Sequence, residues 1–586
     1  PVNVTRIFPD GTKKALHSSY DPVKEASRFI DSCGTDDSLN FIVGGFGLGY
    51  HLIELVQRVP RQSRIVIFEN DPEMLVIALM HNDLGKVLEH PGISIHVGIA
   101  PNDLPQVLSR DKTSFTINGF VPITFSPLIV TEFDYYQALH AKLDQLIQET
   151  WIDLKTHAAF SKLFYKNLTH NFSHLVRSPG VQNLQNQLSG FPAIIVSAGP
   201  SLDKNISLLK DVAERSVLIA VATALKPLLE ANVEPDFVVA IDPDDTTINA
   251  FDLNSAPEKT WLLYDPCIPS TIPKIFNNKN IVVESNFFLA QWIANFSPVR
   301  GTLGKTFSVA HTAFLFAKHL GCSPIILVGQ DLAFTHHRMH CTASFFYQKN
   351  LDSITSDMTL VSQEKKNYQK YLKALKPATD LHGEVVTTTL SMDTYKNVFA
   401  EEIQKGISVI NATEGGIPIP GATNLCLREA SYIHCNQYIK QKENLIRRKL
   451  KVPHSSGKLY PALEETNLRF KKLNHSVSDL KNRYPGNELK NDSEKIIFVE
   501  EMERLYSSLL KEPDIMKMLQ EFSFLEFMEW NQKNHKIILK MARNGEKAVL
   551  EDKFQRDQKL LTTLLNSTEY IEKAFCKMVE TISPQG

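Results

Sequence analysis

The chain lacks the features that mark secreted proteins, proteins with structural zinc sites and membrane-spanning proteins. Its 586 residues include seven cysteines, an odd number, and no two of them form a Cys-x-x-Cys pair. This pattern argues against a zinc knuckle and a disulfide framework, and it favours a reducing compartment. No apolar run reaches the ~18–20 residues that a transmembrane helix needs, and the N-terminus has no basic-then-apolar signal pattern. We therefore expect a cytoplasmic protein without a membrane partner.

Excess charge and internal repetition are missing as well. The formal net charge is -2, which gives no reason to expect nucleic acid as a partner. No repeat of solenoid period is visible, so a stacked-repeat architecture is excluded. A chain of 586 residues is too long for one hydrophobic core, and several domains are expected.

Short apolar runs that alternate with helical segments dominate what is present. Residues 1–130 contain three strand-like runs and two helical ones, which predicts a Rossmann-like domain with a parallel sheet. The strands are Phe41–Gly44, Arg64–Phe68 and Ile93–Val97, and the helices are Tyr50–Val59 and Pro72–His81. Residues 131–190 are predicted to form a helical connector.

A second parallel-sheet unit is predicted for residues 191–430, and residues 431–586 predict an all-α C-terminal domain. The predicted fold class is therefore α/β, with two Rossmann-like domains followed by helices. The strands predicted for the second unit are Ala193–Ser197, Val217–Ala222, Phe237–Ile241, Trp261–Tyr264, Asn280–Val283, Ile325–Val328 and Ser408–Asn411.

A glycine loop follows the first strand of the N-terminal domain. Gly45, Gly47 and Gly49 precede a helix, and Glu69 ends the next strand. This spacing is typical of a dinucleotide or S-adenosylmethionine site, in which the acid accepts the ribose hydroxyls. The alternative is a close strand–helix packing turn in a domain that binds nothing.

The most informative motif is IIVSAGPSL, residues 194–202, in which a strand runs into a turn of small residues. Such turns present backbone N–H groups to phosphates. Ser197, Gly199, Pro200 and Ser201 are therefore candidate donor-binding residues, with the Ser201 hydroxyl directed at the ligand. A plain strand-to-helix turn is the alternative.

Polar residues also stand at the ends of the following strands. Thr223 could contact a base or sugar, and Asp242 could orient a hydroxyl. Asp242 and Asp244 could instead hold a divalent metal that bridges a diphosphate, an arrangement that is possible but not favoured. No cofactor is expected to be required.

Later segments supply further candidates. Gly304 and Ser308 precede a helix and could face the donor, and Gln330 and Asp331 follow a very apolar strand. Asp331 is predicted to be catalytic, together with a histidine as general base or as an imidazolium beside the leaving phosphate. His340 is the first candidate and His382 the second, whereas His336, His337 and His340 together could bind a metal.

Taken in order, these motifs resemble the motility-associated factor (Maf) family of flagellin glycosyltransferases over about residues 15–430. The segments that carry the resemblance are LHSSYDP (16–22), FIVGGFGLGYH (41–51), IVIFENDP (65–72), VSAGPSLD (196–203), AIDP (240–243), LGCSPIILVGQDLAF (320–334) and NATEGGIPIPGA (411–422). The central domain is in turn similar to bacterial sialyltransferases that use CMP-activated sugars, whose phosphate-binding loop corresponds to Gly199–Leu202.

The resemblance implies transfer of a nonulosonic acid, such as pseudaminic or legionaminic acid, from CMP to Ser/Thr hydroxyls of flagellin. A tyrosine that helps the phosphate leave in the sialyltransferases would fall near Phe334, which has no hydroxyl. Three alternatives stay open: a Mg²⁺-dependent diphosphokinase of the 6-hydroxymethylpterin type, a methyltransferase that uses the N-terminal glycine loop, and a non-catalytic flagellin-binding protein. The sequence leaves the oligomeric state undetermined.

Overall fold

The computed structural model describes residues 2–7, 12–125, 132–253, 255–352, 354, 359–369, 371–451, 457–485 and 491–583. Its internal contacts divide the chain into two compact units. The first unit comprises residues 1–159 and 475–567, and the second comprises residues 160–474 and 568–586. The unit boundaries fall within helices Phe133–Arg177, Leu459–Arg483 and Leu550–Ile582. The four-domain division of the sequence stays a prediction.

The first unit contains a four-stranded parallel sheet and a small antiparallel hairpin. Its strands are β1 (Thr5–Ile7), β2 (Lys13–Ala15), β3 (Asn40–Gly44), β4 (Arg64–Glu69), β5 (Ile93–Val97) and β6 (Val121–Thr124). β1 pairs with β2, and the parallel sheet has the order β5-β4-β3-β6. Strand β3 is buried along its whole length, as expected for a strand covered on both faces.

Helices of the first unit come from both ends of the chain. The ranges that lie wholly within it are Pro22–Ser32, Tyr50–Arg58, Pro72–His81, Gly85–Leu88, Leu104–Val107, Lys112–Asn118, Asp492–Leu509, Pro513–Phe522 and Phe524–Asn544. Asp21 and Asp71 cap two of these helices, each accepting a backbone N–H in the first turn, and a proline follows each cap. This combination fixes where a helix begins.

The second unit is built on an eight-stranded parallel sheet. The described strands of the unit, both those of the sheet and those of a separate hairpin, are β7 (Ala193–Val196), β8 (Val217–Val221), β9 (Phe237–Ala240), β10 (Trp261–Tyr264), β11 (Asn280–Val282), β12 (Ile325–Val328), β13 (Leu375–Thr379), β14 (Val385–Thr389), β15 (Val409–Asn411) and β16 (Thr423–Asn424). The order is β11-β10-β9-β8-β7-β12-β15-β16, and β13 and β14 form a separate antiparallel hairpin.

The strand order reverses direction once in this sheet. The chain runs outward from β7 to β11 on one side and then returns to place β12 on the other side of β7. In open α/β sheets, ligands bind outside the carboxyl ends of the strands at such a switch point. The segments after β7 and β12 are therefore the place to look for a site.

The strands of this sheet alternate with helices along the chain. Their ranges are Leu202–Asn205, Leu209–Val212, Ala222–Glu230, Ile272–Ile275, Phe288–Asn295, Val309–His319, Phe345–Asp352, Leu360–Gln369, Leu390–Gln404, Leu427–His434 and Lys442–Lys449. Helix Val309–His319 packs its phenylalanines against the sheet core, where Phe316 meets Phe237 edge-to-face at 4.9 Å between ring centroids. Such pairs add to the stabilisation from burial alone.

The predicted fold class is confirmed: both larger sheets are parallel, and the C-terminal region is helical. The sequence analysis missed β6, the two hairpins and the edge strand β16. The segment after the Gly-Pro-Ser turn is broken into short pieces, with the four-residue helix Leu202–Asn205 followed by the 3₁₀ turn Ile206–Leu208. None of the described helices combines the length and hydrophobicity that a bilayer crossing requires.

Candidate functional site

A cleft of about 430 Å³ lies at the switch point of the eight-stranded sheet. It brings together residues that are far apart in sequence but follow neighbouring strands. Among the predicted site residues, those that line it are Ser197, Gly199, Thr223, Asp242, Ser308, Gln330, Asp331 and His340. Pro200, Ser201 and Gly304 do not appear in its wall. Pro200 and Ser201 are buried, and Gly304 is exposed.

The first turns of two helices form one side of this cleft. Val221, Ala222 and Thr223 line it where helix Ala222–Glu230 begins, and Ser308 lines it where helix Val309–His319 begins. Helix first turns leave N–H groups without intrahelical acceptors and carry partial positive charge. Ser308 satisfies one of them, since its Oγ accepts the N–H of His311 at 3.1 Å. The remaining N–H groups and the helix dipoles favour an anion in the cleft.

The Gly-Pro-Ser turn does not present free N–H groups as the sequence predicts. The N–H of Ser197 donates to Val328 O at 2.9 Å, and that of Gly199 donates to Gly329 O at 2.9 Å. The N–H of Ser201 donates to the Asp331 carboxylate at 3.2 Å, and its hydroxyl donates to the same group at 2.7 Å. Ser201 is therefore a structural partner of Asp331, and its hydroxyl is not directed at a ligand.

Asp331 is buried and stabilises that turn through hydrogen bonds. Its side chain and backbone are 3% exposed in total, and its carboxylate accepts both hydrogen bonds from Ser201. Burial raises the pKa of Asp331 to about 6, against the opposing effect of the Ser201 hydroxyl. A carboxylate held in this way positions the loop, so the structure favours a positioning role over the predicted catalytic one.

The loop after β15 also contacts Gln330 and Asp331 and stabilises their positions. Gly416 adopts a positive φ of 69°, and a Cβ there would lie 2.1 Å from Asp331 O, so glycine is required at this close approach. Ile417 N–H donates to Asp331 O at 3.0 Å. The Thr413 hydroxyl accepts the N–H of Gln330 at 3.2 Å. The glycine- and proline-rich segment is thus a rigid connector behind the cleft.

Gln330 and Ser197 form a polar pair within the cleft wall. The Ser197 hydroxyl donates to Gln330 Oε1 at 2.7 Å. The side-chain amide of Gln330 keeps its N–H₂ group, which could donate to a ligand. Both residues line the cleft, and their role in donor binding stays a prediction.

Asp242 is the carboxylate that the cleft leaves available. It is exposed to the cleft and, in the part of the chain that the structure describes, accepts no hydrogen bond. The surrounding protein atoms desolvate it, and with the charge of Asp244 this raises the pKa of Asp242 to about 6. An acid with this pKa is ionised at neutral pH and still basic enough to take a proton.

Asp244 is less available than its neighbour. Its Oδ1 accepts the N–H of Thr246 at 2.7 Å and caps the 3₁₀ helix Asp245–Phe251. Among the described residues, no three His, Cys, Asp or Glu side chains cluster closely enough to hold a metal ion. The donor set around Asp242 and Asp244 therefore fits a divalent metal poorly.

The histidines of the loop after β12 have separate surroundings. His340 is half-buried at the cleft wall and stacks on Phe346 at 4.8 Å. Burial lowers the pKa of His340 to about 4, so the ring is neutral at pH 7 and the predicted imidazolium role is disfavoured. His337 packs on Tyr368, while His336 and His382 are exposed and do not line the cleft.

Sequence analysis missed several cleft residues. Tyr395 and Met392 come from helix Leu390–Gln404, and Phe160 comes from helix Phe133–Arg177. Burial, together with the nearby charge of Asp242, raises the pKa of Tyr395. These residues lie within helices and carry no local motif, so a pattern of strand ends does not find them.

The N-terminal glycine loop is held by hydrogen bonds within the first unit. Glu69 is 1% exposed, and its two oxygens accept the N–H groups of Phe46 at 2.7 Å and Asp71 at 2.9 Å. The N–H groups of Gly45 and Gly49 also have backbone acceptors within the unit. Gly47 is buried with the rest of the loop. This geometry favours the packing turn over the ligand loop.

We expect Glu69→Ala to destabilise the first unit without affecting ligand binding. It leaves two buried N–H groups unpaired, which costs about 2–4 kcal/mol of unfolding free energy. Urea denaturation of the full chain measures the loss, with the exposed Glu73→Ala as the control. Unchanged stability combined with loss of S-adenosylmethionine binding would instead restore the ligand-loop interpretation.

Comparison with known proteins finds similarity in the central region and over the whole chain. Residues 166–337 match the model of the family described as 6-hydroxymethylpterin diphosphokinase MptE-like. Two proteins of Treponema pallidum (strain Nichols), both described as uncharacterized, are also similar. One is 27% identical over 199 residues, covering 33% of this chain and 66% of the relative. The other is 24% identical over 248 residues, covering 42% of this chain and 41% of the relative. The chain thus spans less than two thirds of either relative.

Among solved structures, the Maf glycosyltransferase from Magnetospirillum magneticum AMB-1 is similar over nearly the whole chain. The two share 15% sequence identity with a TM-score of 0.51, covering 99% of this chain and 91% of that structure. At this identity the likeness concerns the fold. Residues 166–337 therefore match the MptE-like family, and the chain as a whole has the fold of a Maf glycosyltransferase.

Proposed function

We propose that this protein is a cytoplasmic glycosyltransferase that moves a nonulosonic acid from CMP onto Ser/Thr hydroxyls of flagellin. The observation that carries the proposal is the cleft at the switch point, where two helix first turns and an available carboxylate, Asp242, face the same space. The likeness to the Maf glycosyltransferase fold supports the same reaction class.

The donor phosphate fits the positive side of the cleft. The first turns of helices Ala222–Glu230 and Val309–His319 would hold the CMP phosphate, and their N–H groups would stabilise the charge that develops as it leaves. The Gln330 amide and Thr223 hydroxyl are positioned for polar groups of the nucleoside or sugar. These elements replace the Gly199–Ser201 turn as the anion-binding part of the site.

Asp242 is the general base in this proposal. It takes the proton of the acceptor hydroxyl while the hydroxyl oxygen forms a bond to the anomeric carbon. The bond from that carbon to the phosphate oxygen breaks, and CMP leaves with the electron pair. The geometry corresponds to an inverting displacement. Neutral His340, also in the wall, would orient the hydroxyl by hydrogen bonding.

The MptE-like match supports a second candidate, a Mg²⁺-dependent diphosphokinase. That chemistry needs a metal to bridge phosphates. Among the described lining residues of the cleft, Asp242 and Asp244 are the pair that could hold such a metal. CMP carries a single phosphate, so the transferase requires no bridging metal. The Asp244 carboxylate already accepts the N–H of Thr246 and is therefore less available to a metal, so we favour the transferase.

Calorimetric titration with CMP, with and without EDTA, tests the proposal. We expect CMP to bind the intact chain independently of EDTA, because backbone N–H groups and not a metal hold the phosphate. Thr223→Trp should abolish binding by filling the cleft at a helix first turn. Ser207→Trp is a matched control, since Ser207 is exposed on a short turn away from the cleft wall.

Other outcomes would exclude the proposal. If CMP fails to bind and ATP binds only with Mg²⁺, in a manner lost in Asp242→Asn, the diphosphokinase is the correct assignment. If flagellin binds the chain but no sugar is transferred to it, the non-catalytic flagellin-binding protein is the correct assignment.

A further inference from the structure

A second cavity, which we call the aromatic chamber, adjoins the cleft. It has a volume of about 450 Å³. Its walls come from the segment after β12 and from helices Phe345–Asp352 and Leu360–Gln369. The rings that line it include Phe334, Tyr368 and Tyr371. Nothing in the proposed donor site uses these residues.

The chamber and the cleft share part of their walls. Met339, His340 and Phe346 line both cavities, and the ring of His340 stacks on that of Phe346. A group held in the chamber would therefore approach the cleft beside His340. A transferase needs its acceptor hydroxyl to reach the donor carbon, and this shared wall is where the two cavities meet.

We propose that the aromatic chamber is the acceptor subsite and binds a peptide segment through an apolar side chain next to the accepting Ser/Thr. The inference rests on the proposed function and deepens it by naming where the protein substrate binds. The peptide backbone would cross the shared wall, which brings the hydroxyl toward Asp242.

The arrangement of the rings favours a side chain over a stacked base. Phe334 meets Tyr368 edge-to-face, with 5.4 Å between centroids and 84° between planes, and meets Tyr371 at a tilt of 51°. Rings at these angles surround an apolar group, as in a protein core, and do not form a parallel slot for a flat base. An aliphatic or aromatic side chain is the matching ligand.

An unsatisfied acceptor in the chamber favours a peptide in particular. Gln363 Oε1 is buried and, among the residues that the structure describes, has no hydrogen-bond donor. A buried polar atom without a partner is costly, and a ligand that donates to it gains that free energy. A peptide carries an N–H donor at nearly every residue and so can satisfy this acceptor.

Steady-state transfer from a CMP-activated nonulosonic acid to monomeric flagellin tests this subsite. We expect Tyr371→Ala to raise KM for flagellin at least about tenfold, because an apolar contact is lost. Gln363→Leu should raise it about fivefold through loss of one hydrogen bond. KM for the donor and the affinity for CMP should stay within about twofold of wild type, as neither residue lines the cleft. Unchanged CMP affinity also shows that each variant is folded.

The control is Tyr432→Ala, which removes a tyrosine that is 86% exposed and lies on helix Leu427–His434, outside the chamber. If KM for flagellin is unchanged in both chamber variants while transfer continues, the acceptor subsite is elsewhere and the transferase assignment stands. If KM for the donor rises instead, the chamber holds part of the sugar nucleotide and the inference is wrong. If wild type does not bind CMP, the proposed function fails first and this subsite with it.

Discussion

Asp242→Asn is expected to slow transfer by a factor of about 10²–10⁴, the usual contribution of a general base. The amide keeps the size and polarity of the side chain but cannot take the proton of the acceptor hydroxyl. CMP affinity should be nearly unchanged, because the phosphate is held at the helix first turns. Initial rates of sugar transfer to flagellin and calorimetry with CMP measure the two effects separately.

The pH profile gives an independent check on Asp242. Its pKa is raised to about 6, so the base is protonated and inactive below that value and ionised above it. The rate of the wild type should therefore rise between about pH 5 and 7 and then level off, and the variant should lose this rise. Asp245→Asn, a neighbouring exposed carboxylate, is the control. A rise that persists in Asp242→Asn would assign the base to another residue.

Gly199→Ala is expected to prevent the second unit from reaching its native packing. A Cβ at this position would lie 2.0 Å from the Asp331 carboxylate and 2.4 Å from Gly329 O. Neither group can move freely, because Asp331 is held by Ser201 and Gly329 O accepts the N–H of Gly199. We expect a loss of at least about 3 kcal/mol in unfolding free energy, visible as a lower thermal midpoint and loss of CMP binding.

Gly304→Ala separates this steric clash from the general cost of replacing a glycine. Gly304 has a positive φ of 84°, yet a Cβ there would meet no atom within 4 Å. Its replacement should cost only about 1 kcal/mol of backbone strain. Equal thermal midpoints for the two variants would show that the space between the Gly199 turn and Asp331 is large enough for a Cβ, contrary to the distances in this structure.

Most strands of the two parallel sheets could be predicted to within about a residue of their ends, whereas β6 and β16 were missed. Strands such as Val217–Val221 and Ile325–Val328 are short apolar runs, and a strand buried on both faces needs such a run. The hairpin Leu375–Thr379 and Val385–Thr389 could not be found this way. Its strands are partly exposed and contain four threonines among ten residues, so burial imposes no apolar pattern on them.

The location of the site could be predicted better than the roles of its residues. Parallel strands end at one edge of a sheet, so residues after β7, β9 and β12 had to meet. Whether a polar group faces a ligand or another part of the protein depends on tertiary neighbours that sequence does not reveal. Asp331 and Glu69 have the spacing of ligand-binding acids, yet each accepts hydrogen bonds from the loop beside it.

The two cavities differ in how the chain encodes them. Residues of the cleft come from loops and helices that are spread along the chain from Phe160 to Tyr395, so changing its shape disturbs a whole sheet. The described lining residues of the aromatic chamber all lie between Phe334 and Tyr371, in the part of the chain that follows β12. If the chamber binds the acceptor, as we propose, substitutions within this one segment can change acceptor preference while Asp242 and the two helix first turns of the cleft stay as they are.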